Sequence, residues 1–296
     1  NPECGWFYKA KSDDFKKIPG SPIAYWVSEI ILQAFENGVS LKTIGDTRQG
    51  MATSDNNRFL RLWFEVNFHS VFLGALTREE AKDSNKKWFP YNKGGDYRKW
   101  YGNSEYVVNW EFDGKELLEY ASSLYGSPTR TIKSISEYFK PNISWSKISS
   151  GNLAMRYYPN GYLFDVAGCC IFSDSQSDLM FLLGFSNTNM VRSLLESISP
   201  TLNFEAGQIA SLPILNMEKS KVIENTKKLI EIAKNDWDMA ETSWGFKRLD
   251  IVSASQYKDK IKESYSYIFE EWVRATEVVQ ELEQENNQIF SKAYGV

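Results

Sequence analysis

What this chain lacks narrows its function more than what it contains. Its 296 residues include one histidine, His69, and three cysteines, Cys4, Cys169 and Cys170. The cysteines stand at no metal-ligand spacing, and neighbours such as Cys169 and Cys170 seldom bridge each other, so a reduced, cytoplasmic protein is expected. No apolar run approaches the roughly 20 residues of a membrane-spanning helix, and no secretory leader opens the chain. There is no Gly-x-x-x-x-Gly-Lys and no dinucleotide glycine fingerprint. His69, in Asn67-Phe-His-Ser, has no evident partner and reads as structural. Acid pairs such as Asp236 and Asp238 fall on the solvated side of a helix. No catalytic centre is legible, no metal or cofactor is expected in this segment, and binding is favoured over catalysis.

What is present points the same way. Aromatic residues make up 15 % of the chain, which suggests an extended binding surface, and the net charge is -4. That charge is unevenly spread. From Lys42 to Tyr101 there are eleven Lys and Arg against seven Asp and Glu, and from Gly126 to Asn160 five against one. From Asn216 onward there are twelve against fifteen. An acidic protein can still hold a polyanion on a basic patch, because screening limits attraction to a Debye length of about 8–10 Å. The densest stretch is 85–101, where Lys86, Lys87, Lys93, Arg98 and Lys99 face a single acid, Asp96. Trp88, Phe89, Tyr91, Tyr97, Trp100 and Tyr101 are interleaved with them, and Gly94-Gly95 allows a bend. Cations answer phosphates and planar rings stack on bases or sugars; a surface hairpin with solvated lysines and core rings is the plainer alternative.

Along the chain, Ile18-Pro-Gly-Ser-Pro22 is a rigid turn, and Ile23, Val27, Ile30, Ile31 and Phe35 then recur at helical spacing until Asn37-Gly38. Residues 41–215 mostly alternate or run in short apolar bursts. Strands are expected over Phe59–Val66, Tyr106–Phe112 and Tyr162–Phe172, with a hairpin through Pro159-Asn160-Gly161 to Leu153–Tyr158. Helices are expected over Leu117–Leu124 and Asp178–Glu196. After Pro213 the pattern is purely helical: one stripe over Lys219–Asp238, then a seam of Ile261, Tyr265, Ile268, Trp272, Ala275, Val279 and Leu282. Steps of four and three mark that seam as coiled-coil-like packing that braces a domain or sets a spacing. The fold class expected is α+β: a twisted mixed sheet followed by a helical region with one long helix.

Three further segments carry a family resemblance. Thr47-Arg-Gln-Gly-Met-Ala-Thr-Ser-Asp-Asn-Asn-Arg-Phe-Leu-Arg61 resembles the Gly-x-x-Thr-x-x-Asn-x-x-Phe segment of large adenine-specific DNA methyltransferases, where a catalytic domain hands over to a target-recognition domain. Residues 197–214 resemble the close of a recognition domain in those enzymes and in type I specificity subunits. Trp237–Trp244 and Asn287–Gly295 resemble the C-terminal helical region of the PglX-type methyltransferases of BREX phage-defence systems. The resemblance implies the C-terminal half of such an enzyme. Residues 1–40 would be a connector and helix from the catalytic domain, 41–215 a DNA target-recognition domain, and 216–296 a C-terminal helical region. The family's S-adenosylmethionine glycine motif and Asn-Pro-Pro-Tyr do not occur here, so methyl transfer and its cofactor would belong to residues preceding Asn1. The parent would be an N6-adenine methyltransferase, partnered by double-stranded DNA, its own N-terminal domain and other defence-system proteins.

On that reading Lys86, Lys87, Lys93 and Lys99 contact phosphates, and Arg98 reads a base. Arg48, Gln49, Asn57 and Arg58 form a second DNA surface near the junction, where a strand with an extracted adenine would need support. Arg130, Lys133 and Arg156 make a third group. Trp100, Trp110 and Trp145 are expected in the core, with Trp88 or Tyr91 at most meeting a base. A stand-alone specificity subunit and a carbohydrate- or protein-docking module are the alternatives.

Overall fold

The structure, a computed structural model, describes residues 13–21, 26–149, 151–198, 203–254 and 260–296. The expected helix start at Pro22 and Ile23 lies outside them. Helix α1 (Glu29–Asn37) begins where the Ser28 side chain accepts from the Ile31 amide, a serine N-cap. The strand-rich part then runs β1 (Val39–Ser40), β2 (Asp46–Arg48), α2 (Asn56–Phe59), β3 (Leu60–Leu62), α3 (Arg78–Asp83), β4 (Trp88–Asn92), β5 (Tyr106–Asn109) and α4 (Glu111–Tyr125). It continues through β6 (Asn142–Ser146), β7 (Met155–Tyr158), β8 (Leu163–Phe164), β9 (Gly168–Phe172), α5 (Gln176–Ser186), α6 (Asn189–Ile198), α7 (Ala206–Ala210) and β10 (Pro213–Ile214). Three helices follow: α8 (Ser220–Asp238), α9 (Asp250–Ala254) and α10 (Ile261–Tyr294).

Mixed α and β structure and a long final helix are as expected, but the strands divide between two four-stranded sheets. One is antiparallel in the order β2-β9-β6-β7. The other has the order β3-β5-β4-β8 and is mixed, because β8 joins β4 in parallel. A short ladder pairs Val39 with Ile214 and Ser40 with Pro213, so the chain enters and leaves this part side by side. Strand β9 is buried on both faces, and its alternation serves two cores. Cys169 and Ile171 face α5, α6, α8 and α10; Cys170 and Phe172 face the second sheet and α4.

Several sequence expectations are corrected. Strand β7 pairs with β6, and β8 with β4, so Pro159-Asn160-Gly161 carries the chain from one sheet to the other and closes no hairpin. The strand expected to reach Phe112 stops at Asn109: α4 begins at Glu111, with Phe112, Asp113 and Gly114 in left-handed backbone (φ 52°, 62° and 74°) kinking its first turn. Only Leu60–Leu62 of the Phe59–Val66 segment is strand. The helix expected over Asp178–Glu196 breaks at Asn187. Its side-chain oxygen accepts from the Met155 amide at 2.9 Å and its nitrogen donates to the Met155 carbonyl at 2.9 Å. Asn187 thus satisfies the edge of β7 as another strand would.

The helical region is joined to the sheets by packing and by polar contacts. A Cβ on Gly184 would lie 2.5 Å from Thr226 Oγ1, so glycine is what lets α5 and α8 cross closely. Phe290 and Tyr294 of α10 are buried against Phe185. The Trp63 indole donates to the Thr242 carbonyl at 2.8 Å.

Candidate nucleic-acid interface

The cations singled out in the sequence fall into three places. The first lies along 93–102 and is part-buried. Lys93 Nζ donates at 2.6 Å to the buried carboxylate of Asp165, which also accepts from the Tyr91 hydroxyl at 2.7 Å and from the Ala167 amide at 2.7 Å. Arg98 pairs with Asp236 of α8, donates through Nε to the Tyr101 carbonyl at 2.9 Å and lies over the Trp237 ring, 4.9 Å from its centre. Gly102 (φ +122°) makes room for that stack: a Cβ there would sit 2.5 Å from Arg98 and 2.8 Å from Trp237. Glu283 of α10 accepts from Lys99 Nζ and from the Trp100 indole, each at 2.7 Å. Lys93, Arg98 and Lys99 are therefore committed to clamping the 93–102 segment onto the rest of the molecule. Arg156 is 1 % exposed and donates to Tyr158 Oη at 3.1 Å and Ser146 Oγ at 3.3 Å. A side chain so enclosed has no surface to offer a duplex.

The rings of 85–101 are likewise core. Trp88, Phe89, Tyr91, Trp100 and Tyr101 are buried, as are Trp110 and Trp145, while Tyr97 is exposed. Neither Trp88 nor Tyr91 presents a face to a base. Burial lifts the Tyr91 phenol well above its ordinary pKa, with the Asp165 charge adding to it, and lifts Tyr101 to about 12.

A second group surrounds Glu116 on α4. Arg58 donates to it through Nε and a terminal nitrogen at 2.9 and 2.8 Å and packs over Phe59 and Tyr120. These bonds, with the fields of Arg58 and Lys87, hold the Glu116 carboxyl below its usual range against the cost of burial. Lys87 lies over the Trp88 ring at 5.7 Å. Lys86 Nζ donates to the His69 carbonyl at 2.5 Å, and Asn57 is exposed beside this group.

The third group is the one the fold assembles on an accessible face. Strand β2 ends at Arg48, and Gln49 follows. Gly50 then passes so close to β8 that a Cβ would lie 1.9 Å from the Phe164 carbonyl oxygen. The 131–140 segment is tied to this turn: Ser134 Oγ donates to the Gln49 carbonyl at 2.9 Å, and the Ala52 amide to the Thr131 carbonyl at 2.9 Å. Two carboxylates organise the surrounding cations. Burial opposes ionisation of Glu137, but hydrogen bonds from Lys140 and Ser136 and the charges of Lys140 and Arg48 outweigh it and lower its pKa. Glu205 accepts from Lys147 at 3.1 Å and Gln49 at 3.4 Å. Arg48 also pairs with Asp46, yet both side chains remain about half exposed. Lys133 adds an exposed cation to this face. The sequence singled out Arg48, Gln49 and Lys133 of this face; Lys140 and Lys147, which the fold adds to it, belong to the cation excess over 126–160.

A cavity of about 1220 Å³ opens between the 97–100 segment, α8, α9 and α10, lined mainly by apolar side chains such as Met239, Tyr267, Ile268 and Val279. Among the described residues no cluster of His, Cys, Asp and Glu could hold a metal, and no helix is long and apolar enough to cross a membrane.

No family model matches the chain. It is 36 % identical over its whole length to an adenine-specific methyltransferase PglX from Lacticaseibacillus casei (strain Zhang), covering 25 % of that protein. It is 33 % identical over 98 % of its length to an adenine-specific methyltransferase BrxX from Escherichia coli O9:H4 (strain HS), covering 22 %. The chain thus spans about a quarter of the curated relatives it matches. Among solved structures, the type IIL restriction-modification enzyme MmeI in complex with DNA aligns over 88 % of this chain and 34 % of its own, with 12 % identity and a TM-score of 0.48. A likeness that loose carries no argument about function.

Proposed function

Because the whole chain matches a segment of the PglX-type adenine-specific methyltransferases, we propose that it is the DNA-recognition module from the C-terminal half of such an enzyme. Methyl transfer lies in a catalytic domain of the same parent polypeptide. The observation that carries this reading is the full-length match; the basic face around Arg48 supplies a surface consistent with it. The cavity beside α10 does not fit S-adenosylmethionine, since it has no glycine-rich turn at a strand end to receive a nucleoside, and no step of methyl transfer is assigned to this chain.

Duplex recognition needs phosphate contacts for register and base-edge contacts for identity. Lys133, Lys140 and Lys147 take the phosphate role, their ammonium groups being compact and tolerant of geometry. Arg48 and Gln49 reach base edges from the end of β2: guanidinium suits guanine and a carboxamide suits adenine. Asn57, Arg58, Lys86 and Lys87 form a flanking surface. Lys93, Arg98, Lys99 and Arg156 hold the module together.

A titration of labelled duplex with this chain at about 50 and 200 mM salt tests the proposal. Affinity should collapse by orders of magnitude between the two. Absence of binding at the lower salt, or binding indifferent to salt as expected for a sugar, would overturn it.

A further inference from the structure

The seam along α10 is only half used. Its C-terminal half is packed through Val279, Leu282, Ile289, Phe290 and Tyr294. Further toward its N-terminus, Tyr265, Phe269 and Trp272 are 56, 52 and 43 % exposed, and Val273 is exposed beside them. At 100° per residue these four side chains span an arc of about 100°, one continuous stripe. The Tyr265 and Phe269 rings stack on each other at 6.3 Å. On the neighbouring face Ile268 and Ser264 are buried beside α9, and Trp272, at the edge of the stripe, also lines the cavity between α8, α9 and α10. A contiguous aromatic stripe left in water marks an interaction surface.

We propose that this stripe is the contact between two copies of the chain, α10 lying antiparallel to its counterpart about a two-fold axis at Phe269. A two-fold contact uses one patch twice, so positions equidistant from the axis meet. Phe269 faces Phe269 of the second copy, Tyr265 faces Val273 and flanks Trp272, and Lys262 falls beside Thr276 and Glu277. Charge sets the direction. Lys262 and Glu277 are both exposed, and among the described residues neither has an ion-pair partner in its own chain. The antiparallel register brings them together at both ends of the contact, whereas a parallel pair would set lysine on lysine and glutamate on glutamate.

Sedimentation of the 296-residue chain from about 1 to 100 µM tests this without reference to DNA. A dimer is expected, and Trp272→Glu should make it monomeric while leaving the helical circular-dichroism spectrum of the folded chain intact. Lys262→Glu and Glu277→Lys should each weaken the dimer about threefold to tenfold, and together restore it. Phe269→Cys should cross-link rapidly to its counterpart on mild oxidation. A monomer at the highest concentration, a dimer indifferent to Trp272→Glu, or a double charge swap no better than either single one overturns the proposal. So does a longer PglX-type polypeptide that contains this chain and shields Trp272 while monomeric; that result would give the stripe to another part of the same protein.

Discussion

Two cation-rich parts of this molecule, the 85–101 stretch and the face around the end of β2, look alike in sequence and differ in what their charges do. In the first, Lys93, Arg98 and Lys99 each meet a carboxylate distant in sequence, at Asp165, Asp236 and Glu283, and the rings between them are core. In the second, Arg48 and Lys140 meet acids two and three positions away while about half exposed, where such pairs contribute little and exchange readily for other anions; Lys147 alone is held by a distant acid, Glu205. Density of charge along a chain is therefore a poor guide to surface potential. What decides is whether the fold brings distant acids to the same place and packs the cations among them.

Alkali tests that contrast most severely. The phenols of Tyr91, Tyr138 and Tyr162 are raised by burial, as is Tyr101, to about 12. A phenol in the unfolded chain ionises near pH 10. Below that both states are protonated and stability is unaffected; above it the unfolded state releases protons that the folded state keeps, so stability falls as pH rises. Denaturation melts between pH 9 and 12, followed with phenolate absorbance, should show unfolding and ionisation together. Free titration of these tyrosines in a folded protein would place them outside the core.

Gly50→Ala comes next in size. With its Cβ forced against the Phe164 carbonyl, the variant should lose about 3 kcal/mol or more in urea melts, comparable to severe overpacking, and an unchanged melt would mean that β2 and β8 part easily. Arg98→Ala should cost about 1–2 kcal/mol, from the hydrogen bond to the Tyr101 carbonyl and the stack on Trp237, with the exposed Asp236 adding little, without altering the preferred DNA sequence of a parent enzyme carrying it. A changed sequence preference would return Arg98 to the base-reading role that the sequence suggested. The smallest effect belongs to Arg48→Ala combined with Lys140→Ala. Stability should hardly move, while the salt dependence of duplex binding flattens by about one unit per lost contact. Unaltered binding would erase the contrast between the two regions.

Features set by local spacing were legible in the sequence. The 3–4 stepping of apolar residues gave α10, and the stripe from Val222 to Trp237 gave α8 within a residue of its observed start. Features set by pairing at a distance were not. The turn at 159–161 has ordinary hairpin chemistry, and only the partners of β7 and β8 reveal that it changes sheets. Asn187 looks like one more polar residue in a helix until Met155 arrives to claim both ends of its amide. The same limit explains the site: Arg48 and Gln49 stand out in the sequence, but Lys147 joins them only through Glu205.

The ladder of Val39–Ser40 with Pro213–Ile214 has a practical consequence. A stretch whose two ends lie side by side can be cut out and replaced by a relative's without redirecting the flanking chain. Any such transplant would have to bring a glycine where Gly184 meets α8 and donors for Asp236 and Glu283 to accept from, or the graft would sit on its helices unfastened. Specificity could thus be exchanged as a cartridge, provided the latches travel with it.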